Sequence, residues 1–367
     1  MNAQAFLASP SPSATRRTLR MSVLLVGGVW LAFFVWVVWG LYDGDPLRAL
    51  HLAGYNERPY DGQFVYYIAQ TPAPREVAER LDVPAYRYQR ILLPLLAHGV
   101  CLGQAACLPW AIFAWDALAQ LLAVALLGAL LQQQGHSPWW AALAYGLWPG
   151  LTGAFLAGLP EPLAYGWVVV ALWAAQRRRP GLTALAYTLG VLAKEVVLIF
   201  VIAHALWLWV QRRRREAAWL GLPLLVFVLW QGLLWHWFGH IGLGSGGAGA
   251  TPWEWIPFAG LLKVGLANGR LLLLYLVLFI PVWVPALLAL QWSWQPPHTL
   301  ASFLYLLNAL PIIFLPYSTF REPAGVLRVA SGLQLAFLLY ALQHRHQRAL
   351  QRLLPLALAL NTFWLWG

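Results

Sequence analysis

Few residues in this chain could do chemistry, and they fall at a handful of places. Asp61 opens the run Tyr60-Asp61-Gly62-Gln63-Phe64-Val65-Tyr66-Tyr67-Ile68-Ala69. Phe64, Val65 and Ile68 follow it at the spacing of one apolar helix face. A carboxylate there either caps the helix or accepts a proton from a bound group. Glu161, in Glu161-Pro162-Leu163-Ala164, either orients a ligand or is a helix-start residue favoured by the helix dipole. Lys194 and Glu195 form either a polar break between helices or a working pair. Arg87 and Arg90 lie in Pro84-Ala85-Tyr86-Arg87-Tyr88-Gln89-Arg90-Ile91-Leu92-Leu93-Pro94, and Arg321, Glu322 and Arg328 near the C-terminus. Arg321 and Glu322 also read as a simple external pair, whereas Arg328 sits inside an apolar run and needs a partner or must snorkel outward. Asp43 and Asp45 present oxygen ligands of the kind a divalent cation takes, yet Gly44 and Pro46 equally describe a solvated turn. His236 and His240 share a helix face without a third ligand, which argues against a metal there.

The elements that must position these groups are membrane helices. The chain of 367 residues is 60% hydrophobic and 10% charged, with a mean hydropathy of +0.62, against about 25% charged for a soluble domain. A hydrocarbon core about 30 Å thick takes roughly 20 apolar residues per helix, and backbone groups in lipid must be satisfied within the helix. The expected fold is therefore all-α, a polytopic helical bundle. The net charge of +11 comes from short arginine clusters between apolar runs, a topology signal and not a nucleic-acid footprint.

Arg16, Arg17 and Arg20 precede a first span over Met21 to Tyr42, which puts residues 1–20 in the cytoplasm as a tail; 21–367 form one domain. Residues 43–108 make a long first external loop carrying interfacial helices. Further spans are expected at Pro109–Leu131, Pro138–Ala157, Pro162–Gln176, Gly181–Ala193, Val196–Gln211, Ala217–Trp237, Arg270–Leu290, Thr299–Tyr317, Ala324–Gln343 and Leu350–Trp366, about eleven in all. Residues 238–268 form a second external loop, whose glycine-rich part is either a lid or a passive linker. Ile91 to Leu108 is read as interfacial or re-entrant, and Gly181 to Gln211 as two short helices meeting at Lys194 and Glu195. Both choices keep Arg177–Arg179, Arg212–Arg215 and Arg345–Arg348 on the cytoplasmic side. That side then holds 13 arginines against the single Glu216, while Asp43, Asp45, Asp61, Glu161, Lys194, Glu195, Arg321 and Glu322 share the other face. Ionisable groups gathered at a lipid–water boundary are costly and mark a functional site. Cys101 and Cys107 have no metal-ligand spacing and say little about redox compartment. Neither a phosphate-binding glycine loop of Walker type nor a dinucleotide fingerprint is present.

The order of first span, external loop with an aspartate opening a tyrosine-rich helix, and aromatic-Pro-Leu-Leu segment resembles the GT-C superfamily of integral-membrane glycosyltransferases. It is most similar to bacterial cell-surface glycopolymer proteins with a Tyr-Asp-Gly-Gln motif, and distantly to the mannosyltransferases of GPI-anchor synthesis. Glu161-Pro162-Leu163-Ala164, Leu192-Ala193-Lys194-Glu195 and Arg321-Glu322-Pro323-Ala324-Gly325-Val326-Leu327-Arg328 match in support. The resemblance implies inverting sugar transfer from a polyprenyl-phosphate donor to a glycan or glycolipid acceptor, at the periplasmic face of a bacterial inner membrane. Under it, Asp61 is the base. Arg321 and Arg328, two turns apart on one face if helical, are the first candidates for the departing phosphate, followed by Lys194, Arg87 and Arg90. Glu161, Glu195, Glu322, Tyr60 and Gln63 orient substrate. No cofactor is demanded, a divalent cation being the one option left open. The rival readings are a lipid-linked-sugar flippase or other transporter, which needs polar residues through the helix interiors, and a non-catalytic envelope-assembly protein.

Overall fold

The computed structural model describes residues 12–52 and 60–365. Among the described residues every secondary-structure element is a helix, without strands. Three helices are long and apolar enough to cross a membrane, Arg16–Leu41, Leu108–Gln133 and Arg214–Phe238, and five are if each of two bent pairs counts as one span. Several others are shorter, between 10 and 17 residues. A polytopic helical bundle therefore stands, with many helices shorter than the hydrocarbon thickness.

Prolines set many of the helix starts, because the first turn needs no N–H and tolerates the fixed φ. Leu108–Gln133, Pro149–Leu156, Glu161–Gln176, Pro180–Ala193 and Pro323–Val329 all carry one in the first two positions. Interruptions break expected continuous spans. Gly269–Leu278 bends by 68° into Ile280–Trp292, where Pro281 cannot supply the helical N–H. Pro323–Val329 bends by 44° into Ser331–Gln343. The first helix begins at Pro12, well before Met21, and continues through a π-helical turn to Leu41. Residues 238–268 are not loop throughout, since Ala259–Ala267 is helical.

Two decisions about chain direction are resolved by contacts. Pro180–Ala193 ends at Lys194, whose backbone is extended, and Leu198–Val210 follows a single 3-10 turn. Tyr187 Oη lies 3.1 Å from His204 Nδ1 across this break, so the two helices run as a hairpin. Ile91 to Leu108 contains one ten-residue helix, Leu92–Cys101, about 15 Å long and too short to span. A disulfide joins Cys101 to Cys107 and closes the turn before Leu108–Gln133, a pairing the six-residue spacing alone did not announce.

These directions separate the two ends of the bundle. Glu161, Lys194 and Glu195 stand where helices meet at one end. Arg177–Arg179, Arg212–Arg215 and Arg345 follow the opposite ends of Glu161–Gln176, Leu198–Val210 and Ser331–Gln343. The core between them is aromatic and aliphatic, with Trp30 stacked on Phe155 and Tyr305 tilted against Tyr340.

Candidate active site

Asp61 immediately precedes helix Gly62–Gln70, but its side chain makes no capping hydrogen bond. Its Oδ1 instead lies 2.9 Å from Arg87 Nη2. Gly62 permits this entry: a Cβ there would meet the carbonyl oxygen of Leu50 at 2.7 Å and that of Ala157 more closely still. The absent side chain is what lets the helix start press against two neighbouring backbones.

Arg87 is itself held by Asp82, a residue outside the sequence-based candidates. Arg87 Nε donates to Asp82 Oδ1 at 2.7 Å and Nη2 to Oδ2 at 2.9 Å. The guanidinium also lies over the rings of Phe64, 4.3 Å from its centroid, and Tyr86, 5.1 Å. Burial pushes the Asp61 carboxyl up, but the charges of Arg87 and Arg328 outweigh it, and the group sits below the ordinary carboxylate value. Burial also pushes Asp82 up, and hydrogen bonds from Arg87 and the Ala248 N–H bring it down to about 2.

A second knot surrounds Glu161. Lys194 Nζ donates to Glu161 Oε1 at 2.5 Å, and Arg328 Nε approaches the same oxygen at 3.7 Å. The Arg328 guanidinium lies over the ring of Tyr60, 5.3 Å from its centroid. Arg90 forms a bidentate pair with Glu195 at 2.6 and 2.9 Å and also donates to Tyr86 Oη at 2.8 Å. Thus Asp61, Asp82, Glu161 and Glu195 face Arg87, Arg90, Lys194 and Arg328 in matched numbers. Three buried polar atoms here have no hydrogen-bond partner among the described residues: Tyr60 Oη, Glu161 Oε2 and Arg328 Nε. A small pocket opens beside them, lined by Asp61, Arg87 and Arg90 on its polar side and by Val65, Ile68 and Leu159 on its apolar side.

The expected residues do not all converge. Arg321 lies on the surface, in the turn between Tyr317–Phe320 and Pro323–Val329. It is therefore not on one helix face with Arg328. Its Nη2 donates to the carbonyl of Gly249 at 2.9 Å, and the neighbouring Glu322 is exposed. Gln63 has no described side-chain bond into the cluster. Asp45 Oδ1 accepts from the Leu47 and Arg48 N–H groups as a helix cap, at 2.9 and 3.2 Å, and Asp43 pairs with Arg48 at 3.5 Å. Those contacts match the solvated turn, and no group of three or more possible metal ligands forms among the described residues.

Two features escaped the sequence. Asp82 carries no motif, and only its contact with Arg87 marks it. Asp116 did have a signal, a lone acid in the apolar helix Leu108–Gln133; it is fully buried and no cation pairs with it among the described residues. The glycine-rich loop joins the site as well. Ala248 N–H donates to Asp82 Oδ2 at 3.0 Å, and a Cβ on Gly247 would meet Arg87 Nη2 at 2.7 Å. A helix-bound carboxylate, four paired cations and unfilled hydrogen-bonding positions can together deprotonate a hydroxyl and receive an anion. No family model, no curated protein and no solved structure matches this chain.

Proposed function

We propose that this chain is a polytopic membrane glycosyltransferase of GT-C type, with about eleven membrane passes. It moves a sugar, with inversion, from a polyprenyl-phosphate donor to a lipid-linked or surface-polymer acceptor. The observation that carries the reading is the Asp61–Arg87 contact at the rim of a half-apolar pocket: a carboxylate at a helix start that caps nothing and is held toward a cavity.

In the proposed step the acceptor oxygen attacks the anomeric carbon and its proton passes to Asp61. The bond from that carbon to the phosphate oxygen breaks, and its electron pair leaves with the polyprenyl phosphate. The phosphate gains one negative charge as Asp61 loses one, so a site with matched cations and carboxylates keeps its balance throughout. Such preorganised charge stabilises the transition state most where water is scarce. Arg328 is the best phosphate ligand of the five expected, because Nε is unfilled while Arg90 and Lys194 are committed to Glu195 and Glu161. Arg87 orients the base. The Cys101–Cys107 disulfide supports an external site, since such bonds persist in oxidising compartments. The N-terminus and the arginine clusters then face the cytoplasm of a bacterial inner membrane.

A lipid-linked-sugar transporter is the second reading, favoured by Asp116 within a spanning helix. Purified protein in detergent, given a labelled polyprenyl-phosphate sugar and an acceptor extract, separates the two. Transfer to the acceptor by the wild-type chain and none by Asp61→Asn supports the enzyme; transfer that persists undiminished in Asp61→Asn removes the base assignment.

A further inference from the structure

Four helices end at the arginine-bearing face in the same way. In each, the second residue past the helix lies in the left-handed region, and the next N–H bonds back to a carbonyl five residues earlier. His136 N–H bonds to Leu131, Arg179 to Ala174, Arg213 to Leu208 and His346 to Ala341. The left-handed position is Gly135 in the first, with φ 81°, but Arg178, Arg212 and Arg345 in the others, with φ of 54°, 57° and 62°. Only glycine takes that backbone without steric cost. The Leu108–Gln133 helix shows the residue the turn itself calls for; the other three accept strain to hold a guanidinium at the same point.

All three arginines are exposed, and none forms an ion pair among the described residues. The one carboxylate of these clusters, Glu216, is taken by Arg213 at 2.6 Å. Tryptophans accompany the clusters: Arg177 lies over Trp173 at 3.9 Å and Arg214 over Trp209 at 5.3 Å. Trp209 is 62% exposed, as an indole at the headgroup level would be. Cations at helix C-termini also complement the helix dipole, but a lysine or arginine one residue earlier would do so without the left-handed backbone.

We propose that this face is a docking surface for anionic phospholipids, with Arg178, Arg212 and Arg345 reaching the headgroup phosphates. Charge complementarity selects the partner: an arginine-rich collar with one acid, set among interfacial indoles, fits a negatively charged leaflet. The inference rests on the membrane reading alone and is independent of the transfer chemistry.

The test compares thermal unfolding of the full chain in nanodiscs of phosphatidylcholine alone and of phosphatidylcholine with phosphatidylglycerol. Wild type should gain stability from phosphatidylglycerol, and the gain should shrink as salt is raised. The triple variant Arg178→Gly, Arg212→Gly, Arg345→Gly should be at least as stable as wild type in phosphatidylcholine and lose most of that gain. Direct binding of phosphatidylglycerol should weaken about five-fold per arginine removed. A triple Gln variant keeps the strained backbone without the charge and should lose the gain equally; loss in the Gly variant alone would trace it to the backbone and overturn the proposal. A gain retained by both variants also overturns it. If the triple variants fail to insert, the salt response of the wild-type chain decides, and a salt-independent gain rejects the proposal.

Discussion

Arg87 Nη2 bridges Asp61 Oδ1 and Asp82 Oδ2 at 2.9 Å each. One guanidinium thus ties the start of helix Gly62–Gln70 to the turn before helix Pro84–Tyr88 and, through Asp82, to the glycine-rich loop at Ala248. The proposed base is therefore positioned by contacts from three separate stretches of chain.

Removing the carboxylate and removing its partner should have different signatures. Asp61→Asn should lower kcat by about 10²–10⁴-fold with the protein still folded in the membrane. Arg87→Gln takes away a cation that favours ionised Asp61, so the Asp61 pKa rises and the acid limb of the kcat/KM profile moves to higher pH. A limb that stays in place or moves lower would show that Arg87 does not set the charge of the base.

The Asp82 clamp has its own pH dependence. Its folded value of about 2 lies below the ordinary 3.8. The clamp is therefore at full strength above about pH 4 and is lost as pH falls through about 2. Asp82→Asn should release the loop at neutral pH, seen as faster hydrogen exchange at residues 247–249. Unchanged exchange there would mean that the loop is held by other contacts.

Glu161 carries two cations on one oxygen. Glu161→Gln strands Lys194 and Arg328 in a buried setting, a loss of about 3–5 kcal/mol for a broken buried pair. Adding Lys194→Met should recover part of that loss, because one stranded charge goes with it. A double-mutant cycle from unfolding in detergent measures the coupling; strict additivity would refute it.

Gly62→Ala pushes a methyl group toward the backbone oxygens of Leu50 and Ala157. Neither oxygen is the end of a flexible side chain, so the helix start must shift, at about 1–3 kcal/mol. The expected result is a lower Tm together with reduced transfer, since Asp61 moves with it.

The Cys101–Cys107 bond closes a short turn, and opening it should cost about 2 kcal/mol by loop-closure entropy. Maleimide should label neither cysteine until the protein is reduced. Labelling of the untreated protein would remove the disulfide and, with it, one support for an external site.

The sequence by itself determined the class of this protein. Its apolar composition and prolines such as Pro109 and Pro162 mark helices and where they begin, whereas the break that starts a new helix at Pro149 came only from the structure. It also announced the reversal at Lys194 and Glu195, because two arginine clusters had to lie on one side. Asp61, Arg87, Glu161, Lys194 and Arg328 were legible as candidates, since charge is conspicuous in an apolar chain. Their pairing was not. Lys194 meets Glu161 and Arg90 meets Glu195 across separations of 33 and 105 residues, and no local period encodes such contacts. Arg321 and Arg328 were paired as first candidates on one helix face, yet a break before Pro323 leaves Arg321 at the surface and turns Arg328 onto Tyr60. Asp82 is an ordinary loop carboxylate until helix packing brings Arg87 against it. Tertiary structure decided these matters because the energy of a charge depends on what surrounds it, and those surroundings come from segments distant in sequence.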